Sequence, residues 1–146
     1  MNTRTDIRAA LAGEVIDLRH AVLRDGLPRE SAVFDGDDHP EALHFVAVDR
    51  GSIVGCVTLH PSTFNGEPAW QLRGMAVAPA MQGRGIGAAL LETAQGAVAC
   101  DPARRMLWCN ARVPASSFYQ RHGWQIVSGV FDIPSAGPHV RMTRQL

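Results

Sequence analysis

Three glycines within five positions, Gly83, Gly85 and Gly87, stand in the string "LRGMAVAPAMQGRGIGAALLETAQ" between a strand-like run and a helix-like run. Glycine reaches positive φ without strain and carries no Cβ, so a bulky group can come close to the backbone. Where such a loop runs into the first turn of a helix, N–H groups with no intrahelical partner and the positive end of the helix dipole together favour an anion. The chemistry on offer is a cradle for a phosphate or pyrophosphate; a plain glycine-rich turn is the bland alternative.

A P-loop is excluded, because that motif needs a lysine beside its phosphates and all 14 basic residues here are arginine. The same absence removes a lysine Schiff base. Read literally, "GRGIGA" fits the dinucleotide pattern G-x-G-x-x-G/A, which opens a βαβ unit and is followed about 20 residues on by an acid that holds a ribose. Here that point falls on Arg104 and Arg105, which argues against a nucleotide-dependent oxidoreductase.

The elements that must position the loop follow from length and pattern. A chain of 146 residues, 46% of them hydrophobic, suits one domain with one core. The 14 arginines are scattered and balanced by 14 acids, so the electrostatic footprint of a nucleic-acid or anionic-membrane binder is missing. Cys56, Cys100 and Cys109 are odd in number with no C-x-x-C spacing and read as reduced core residues. With no N-terminal signal and no apolar run near the roughly 20 residues of a membrane span, the expectation is a cytoplasmic protein.

"DIRAAL" reads as a first strand and "EVIDLRHAVLR", with Val15, Leu18, Val22 and Leu23 at helical spacing, as a helix. "DGLPRESAVFDGDDHPEA" is loop with room for a short helix. "LHFVAVDRGSIVGCVTLH" is a hairpin about Asp49-Arg50-Gly51, "PSTFNGEPA" a loop and "WQLRGMAV" a strand. The helix "GIGAALLETAQGAVA" sets Ile86, Leu90, Ala94 and Ala97 on one stripe. "MLWCNA" is a strand buried on both faces, "PASSFYQRHGW" a short helix from Pro114 to a stop at Gly123, and the remainder two strands. The sum is an α+β domain, a mixed β-sheet with helices on both faces.

"QGRGIG", Gln82 to Gly87, preceded by "MAVAP", resembles the R/Q-x-x-G-x-G/A signature of the GCN5-related N-acetyltransferases (GNAT family), which hold acetyl-coenzyme A. "FYQRHGW", Phe118 to Trp124, is similar to the family's F-Y-x-x-x-G-F element, and the order of elements is similar over nearly the whole chain. Within the family, "LRHAVLR", "DDHPEALHFVAV" and "AGPHVRM" resemble the ElaA-like branch. The resemblance implies a single GNAT-like domain over residues 1–146 with splayed central strands. It implies that backbone N–H groups of Gln82, Gly83, Arg84, Gly85, Ile86 and Gly87 hold the pyrophosphate, with the Arg84 side chain adding a contact. Met75, Ala76 and Val77 would offer strand-edge groups to the pantetheine arm, with the Val77 N–H near the thioester oxygen. Tyr119, the only tyrosine, would protonate the departing thiolate, a task suited to a phenol of pKa about 10. Asn110 would replace a pantetheine-binding Asn or Gln that relatives often carry where this chain has Arg112.

The general base departs from the family pattern. Many relatives carry a carboxylate on the strand before the signature, and this chain reads Trp70-Gln71-Leu72-Arg73-Gly74. The amine proton is left to His44, His60, His139, Asp35, Asp37, Asp38 or a water relay, with His139 in "AGPHV" chosen as base or acceptor-orienting group. Each histidine also has a reading as a hydrogen-bonded structural pin. Cys109 as a nucleophile is disfavoured by its apolar strand, and no metal-ligand spacing stands out.

The expected function is transfer of an acetyl group from acetyl-coenzyme A to a primary amine, on a small molecule or a protein, directly and in a ternary complex. No metal, nucleic acid or membrane enters, and a homodimer is compatible with it. The alternative is a non-catalytic acyl-coenzyme A binding or sensing module, favoured by the missing carboxylate and opposed by Tyr119. Asp35, Asp37 and Asp38 in the loop before "HPEA" would suit a cationic acceptor if they walled its site.

Overall fold

A computed structural model describes residues 5–146. The order is β1 (Thr5–Ala10), α1 (Ile16–Leu23), β2 (Leu43–Asp49), β3 (Ser52–Phe64), β4 (Glu67–Val77), α2 (Ile86–Val98), β5 (Met106–Arg112), α3 (Ser116–Arg121), β6 (Gln125–Ile126), β7 (Phe131–Ile133) and β8 (Gly137–Gln145). Single 3₁₀ turns occupy Ala12–Val15, Arg29–Ala32, Pro79–Met81 and Val113–Ala115. The eight strands form a mixed sheet: β4 and β5 pair in parallel, and β1–β2, β2–β3, β5–β8, β6–β8 and β7–β8 pair antiparallel. The α+β expectation holds. Residues up to His60 with Leu72–Val98 group into one compact unit, and Pro61–Gln71 with Ala99–Leu146 into another.

In the first unit, β2 and β3 are joined by Arg50 and Gly51 at φ 50° and 79°, the two positive torsions of a type I′ hairpin turn. Register sets Val46 opposite Cys56 and Ala47 opposite Gly55, so these two pairs face opposite ways. Val46 and Cys56 pack with Val15, Ile16, Ala32 and Ala76, the side covered by α1. On the other face α2 lies so close that a Cβ at Gly55 would stand 2.8 Å from Leu90 Cδ1, 3.0 Å from Ile86 Cγ2 and 3.3 Å from Ala47 Cβ. Helices therefore cover both faces. The buried stripe of α2 is Ile86, Leu90, Leu91, Ala94 and Val98; Ala97, expected on it, is exposed, because Val98 completes the i, i+4 run from Leu90 and Ala94.

The second unit departs from expectation at "PSTFNGEPA". That stretch is strand: β3 runs to Phe64, β4 begins at Glu67, and Asn65 and Gly66 at φ 50° and 80° make another type I′ turn. The Asn-Gly pair is a strong hairpin signal, outvoted by flanking prolines. β5 buries Leu107, Cys109 and Ala111 but leaves the alternate residues partly exposed, so it is covered unequally rather than buried on both faces. The expected two terminal strands are three, because the chain leaves β6 after two residues before re-entering as β7. α3 ends in a Schellman motif: Trp124 N–H donates to the Tyr119 carbonyl at 3.1 Å, Gly123 N–H to the Gln120 carbonyl at 3.1 Å, and Gly123 sits at φ 89°. The apolar contact typical of that cap is Trp124 on Tyr119, ring centroids 5.4 Å apart.

Sequence reading placed arginines between the apolar residues of α1, yet Arg19 is fully buried. Its Nη1 donates to Asp37 Oδ2 and to the Ala32 carbonyl, both at 2.7 Å, and its Nη2 to Thr58 Oγ1 at 2.9 Å and Asp37 Oδ1 at 3.4 Å. Asp37 also accepts from the Phe34 N–H at 2.9 Å and from His60 Nε2–H at 2.8 Å. Thr58, having accepted from Arg19, passes its own proton to His44 Nδ1 at 2.8 Å, and His44 Nε2–H donates to the Asp37 main-chain carbonyl at 3.0 Å. Burial alone would raise the Asp37 carboxyl; hydrogen bonds from His60, Arg19 and Phe34, with the Arg19 charge, outweigh it and hold the group well below the usual carboxylate range.

Two stability predictions follow from this packing. Gly55→Ala forces Leu90 and Ile86 aside and should lower unfolding free energy by about 1–3 kcal/mol, whereas Gly96→Ala, in open space within α2, should raise it by up to about 1 kcal/mol; calorimetric midpoints of the two variants should move in opposite directions. Asp37→Asn leaves Arg19 buried without its counter-ion and should cost about 3–5 kcal/mol. The native protein should also carry an acid-labile component of stability. Above the ordinary aspartate pKa of about 3.9 that component is complete. Below it the unfolded chain binds a proton that folded Asp37 refuses, and stability falls until pH reaches the depressed folded value. Urea unfolding between pH 5 and the acid limit should show that slope in the native protein and a shallower one in Asp37→Asn.

Candidate functional site

The glycine loop lies wholly in the first unit. At the end of β4, Ala78 N–H donates to the Val54 carbonyl at 2.8 Å. Backbone groups alternate along a strand, so the Val77 N–H, and the Met75 N–H two residues earlier, turn away from β3. The Ala76 side chain is buried in the core, which leaves its flanking Met75 and Val77 partly exposed. After the 3₁₀ turn, Gly83 and Gly85 adopt φ 81° and 79°, and a Cβ at either would meet no protein atom within 4 Å. Torsion, not crowding by the protein, requires glycine here, and the space in front of the loop is open. The first bond of α2 runs from Ala89 N–H to the Gly85 carbonyl at 3.1 Å, so the N–H groups of Ile86, Gly87 and Ala88 precede the helical ladder. Arg84 is exposed.

Gln82 differs from the rest of the expected phosphate set. Its side-chain amide donates to the Val77 carbonyl at 3.1 Å, and its own N–H reaches the Pro79 carbonyl at 3.4 Å. It braces the loop against the end of β4, while among the described residues the N–H groups of Gly83 to Gly87 have no backbone acceptor.

The second unit holds Tyr119, Asn110 and His139. Tyr119 is buried on α3, between Phe118 and Trp124, with ring centroids at 5.2 and 5.4 Å. Among the described residues none hydrogen-bonds its hydroxyl, and that oxygen is not one of the sealed-off polar atoms. Burial, with Cys109 nearby, pushes the phenol well above the usual tyrosine range, so it keeps its proton at neutral pH. Of the three cysteines expected in the core, Cys56 and Cys109 are buried and Cys100, on the turn that follows α2, is exposed; burial pushes Cys109 up to about 12, which disfavours a thiolate nucleophile there. Asn110 Oδ1 accepts from Arg141 Nε at 3.2 Å. His139 is buried on β8, and its Nδ1–H donates to the Gly137 carbonyl at 2.7 Å. That bond leaves Nε2 as the acceptor nitrogen.

The other candidate bases are gathered in the first unit by a residue that sequence reading did not select. Arg19 binds Asp37 and Thr58, and through them His60 and His44. Both His44 nitrogens are occupied. His60 keeps Nδ1 without a protein partner among the described residues and not sealed from solvent. Asp35 and Asp38 are exposed, and Asp37 faces inward, so the three acids do not act as one wall. A signal for Arg19 was present: Val15, Leu18, Arg19 and Val22 fall at i, i+3, i+4 and i+7, which sets the arginine on the core-facing stripe. Among the described residues no cluster of three His, Cys, Asp or Glu side chains is placed to hold a metal ion, and no helix is long and apolar enough to cross a membrane.

A family profile described as an acetyltransferase (GNAT) domain matches residues 40–126. An uncharacterized N-acetyltransferase of Bacillus subtilis, YitI, is 24% identical over 144 residues, covering 97% of this chain and 96% of the relative. Among solved structures the fold is similar to Escherichia coli ElaA, with a TM-score of 0.81 at 17% identity over 97% of this chain and 100% of the other. It is also similar to an aminoglycoside 6'-N-acetyltransferase complexed with coenzyme A, with a TM-score of 0.74 at 18% identity over 96% of each chain. The matched profile spans the loop that opens α2 and the helix that carries Tyr119, and the chain belongs to the GNAT acetyltransferase family as an acyl-coenzyme A-dependent acyltransferase.

Proposed function

We propose that this enzyme transfers an acetyl group from acetyl-coenzyme A directly to a primary amine, the whole chain acting as one acyltransferase domain. The observation that carries the reading is the open run of unpaired N–H groups from Gly83 to Ala88, held by two positive-φ glycines at the start of α2. Pyrophosphate is the part of coenzyme A that such a run of donors answers. The Met75 and Val77 edge groups suit the amides of the pantetheine arm. The amine nitrogen attacks the thioester carbon, and the Val77 N–H stabilises the oxyanion that forms. As the C–S bond breaks, Tyr119 gives its proton to the coenzyme A sulfur, a phenol being protonated at neutral pH. A thiol relay through Cys109 is disfavoured by the same burial that pushes that group up to about 12. Orientation of the two substrates is worth roughly 7–11 kcal/mol of barrier in such direct transfers.

His139 takes the amine proton in this proposal, through the Nε2 lone pair that its Nδ1–H bond to Gly137 leaves free. One observation favours a second candidate. His60 donates Nε2–H to Asp37, so a proton accepted at Nδ1 would be stabilised by a carboxylate already in contact with the ring.

Gly85→Val should stay folded and lose most acetyl-coenzyme A affinity by titration calorimetry; unchanged affinity would reject the cradle. Tyr119→Phe should lower kcat about 10²- to 10⁴-fold with little change in the KM for acetyl-coenzyme A, and retention of most kcat would place the acid elsewhere. Comparing pH profiles of kcat/KM in His139→Gln and His60→Gln identifies the base: the acidic limb of the native profile should vanish in His139→Gln and persist in His60→Gln. The reverse result transfers the role to the Asp37–His60 pair.

A further inference from the structure

In the strand where many GNAT relatives carry a carboxylate, this chain carries Arg73, and the first unit surrounds it with positive charge. The Arg73 guanidinium carbon lies 4.0 Å from the Phe34 ring centroid, that of Arg19 lies 3.9 Å from it and that of Arg24 lies 5.2 Å from it. Two carboxylates are near enough to act on Arg73: Asp35 is exposed and forms no ion pair with it, and Asp37 is committed, since both its oxygens accept from Arg19 and also take the Phe34 N–H and His60 Nε2–H. Arg73 is half-buried, yet among the described residues it pairs with no carboxylate and donates to no acceptor. None of its nitrogens is sealed from solvent, so its donors open outward. Burial, together with repulsion from Arg19 and Arg24, pushes its pKa down in spite of the attraction of Asp37 and Asp35.

A half-buried guanidinium without an anion is costly, and Phe34 holds its plane by stacking rather than by neutralising it. What fits is a planar oxyanion supplied from outside, taken by two parallel N–H donors. We infer that the acceptor amine carries an oxyanion, first of all a carboxylate, and that Arg73 binds it. This makes the acceptor an amino acid or a similar amino-carboxylic compound rather than the cationic amine that the aspartates of the preceding loop suggested. The inference rests on the transferase reading, and it assigns Arg73 to substrate selection instead of proton transfer.

The test is a panel of matched amines monitored by thiol release: amino acids against their carboxamides, and ethanolamine phosphate against ethanolamine. In the native enzyme the anionic member of a pair should have kcat/KM about tenfold to a hundredfold higher, the effect of one hydrogen-bonded charge. The ratio should fall toward one in Arg73→Met and be partly restored in Arg73→Lys, which keeps the charge and loses the fork. An arginine that only stacks on Phe34 would lower the thermal midpoint in Arg73→Met and leave the ratio unmoved, and that result overturns the inference. A preference for the phosphorylated amine over the carboxylates supports the oxyanion and identifies its source. Thiol release with neutral or cationic amines alone, or with none of the panel, overturns it. Calorimetric binding of acetyl-coenzyme A, lost in Gly85→Val, reports separately on the transferase reading.

Discussion

A guanidinium with no exposure must find an acceptor for its donors and a counter-charge for its cation, and Arg19 imposes that demand on every segment around it. To meet it, the loop after α1 must bring the Ala32 carbonyl to 2.7 Å and Asp37 to the same distance, and β3 must offer Thr58. β4 must offer a gap: a Cβ at Gly74 would lie 2.8 Å from Arg19 Nε, so the strand passes the arginine only as glycine, at φ 64°. The Gly-, Pro- and Asp-rich segment between α1 and β2 has little regular structure of its own, and this ion pair gives it one conformation. Such pairs contribute less to net stability than to uniqueness, because desolvation offsets most of the Coulomb energy. Arg19 Nε remains unanswered in the interior, which is part of that cost.

The pair also sorts the histidines. Both His44 nitrogens are engaged, one with the Thr58 hydroxyl and the other giving to the Asp37 carbonyl, so this ring is a structural pin. His60 spends one nitrogen on Asp37 and His139 spends one on Gly137, so each retains a single lone pair. A sequence offers these residues as equals; the hydrogen-bond ledger separates them.

What was legible in the sequence was whatever depends on local chemistry. The glycine loop, the Asp49-Arg50-Gly51 hairpin and the helix stop at Gly123 are set by torsions that few residues adopt, and all three stand where the spacing put them. Tyr119 stands out through the resemblance of "FYQRHGW" to the family's element, and the structure shows the Trp124 ring packed on it, the residue whose carbonyl the Trp124 N–H caps. Lost were the features that need partners distant in the chain. Asn65-Gly66 read as loop because prolines flank it, though strand pairing absorbs them. Sequence reading places Arg19 between the apolar residues of its helix, an arginine being rarely sealed inside; Asp37, 18 residues on, makes the buried position tolerable. Phe34 gave no sign that its ring would gather guanidinium groups, since Arg19 and Arg24 come from α1 and its C-terminal cap and Arg73 from β4.

Charge shows the same limit from the other side. Fourteen arginines against fourteen acids sum to zero, a census that speaks to bulk partners such as nucleic acid and says nothing about any one place. Inside the first unit the balance is uneven: one buried acid answers one buried arginine, and the next cation along the strand is left with an aromatic face. Stacking on that face is favourable, yet the ring's quadrupole does not cancel a unit charge. At this point of β4 a cation sits half-buried without an ion-pair partner in a protein that is neutral overall, and its charge is felt more strongly there because the surroundings screen less than water. Local pairing rather than total charge is what decides which small molecules such a surface admits.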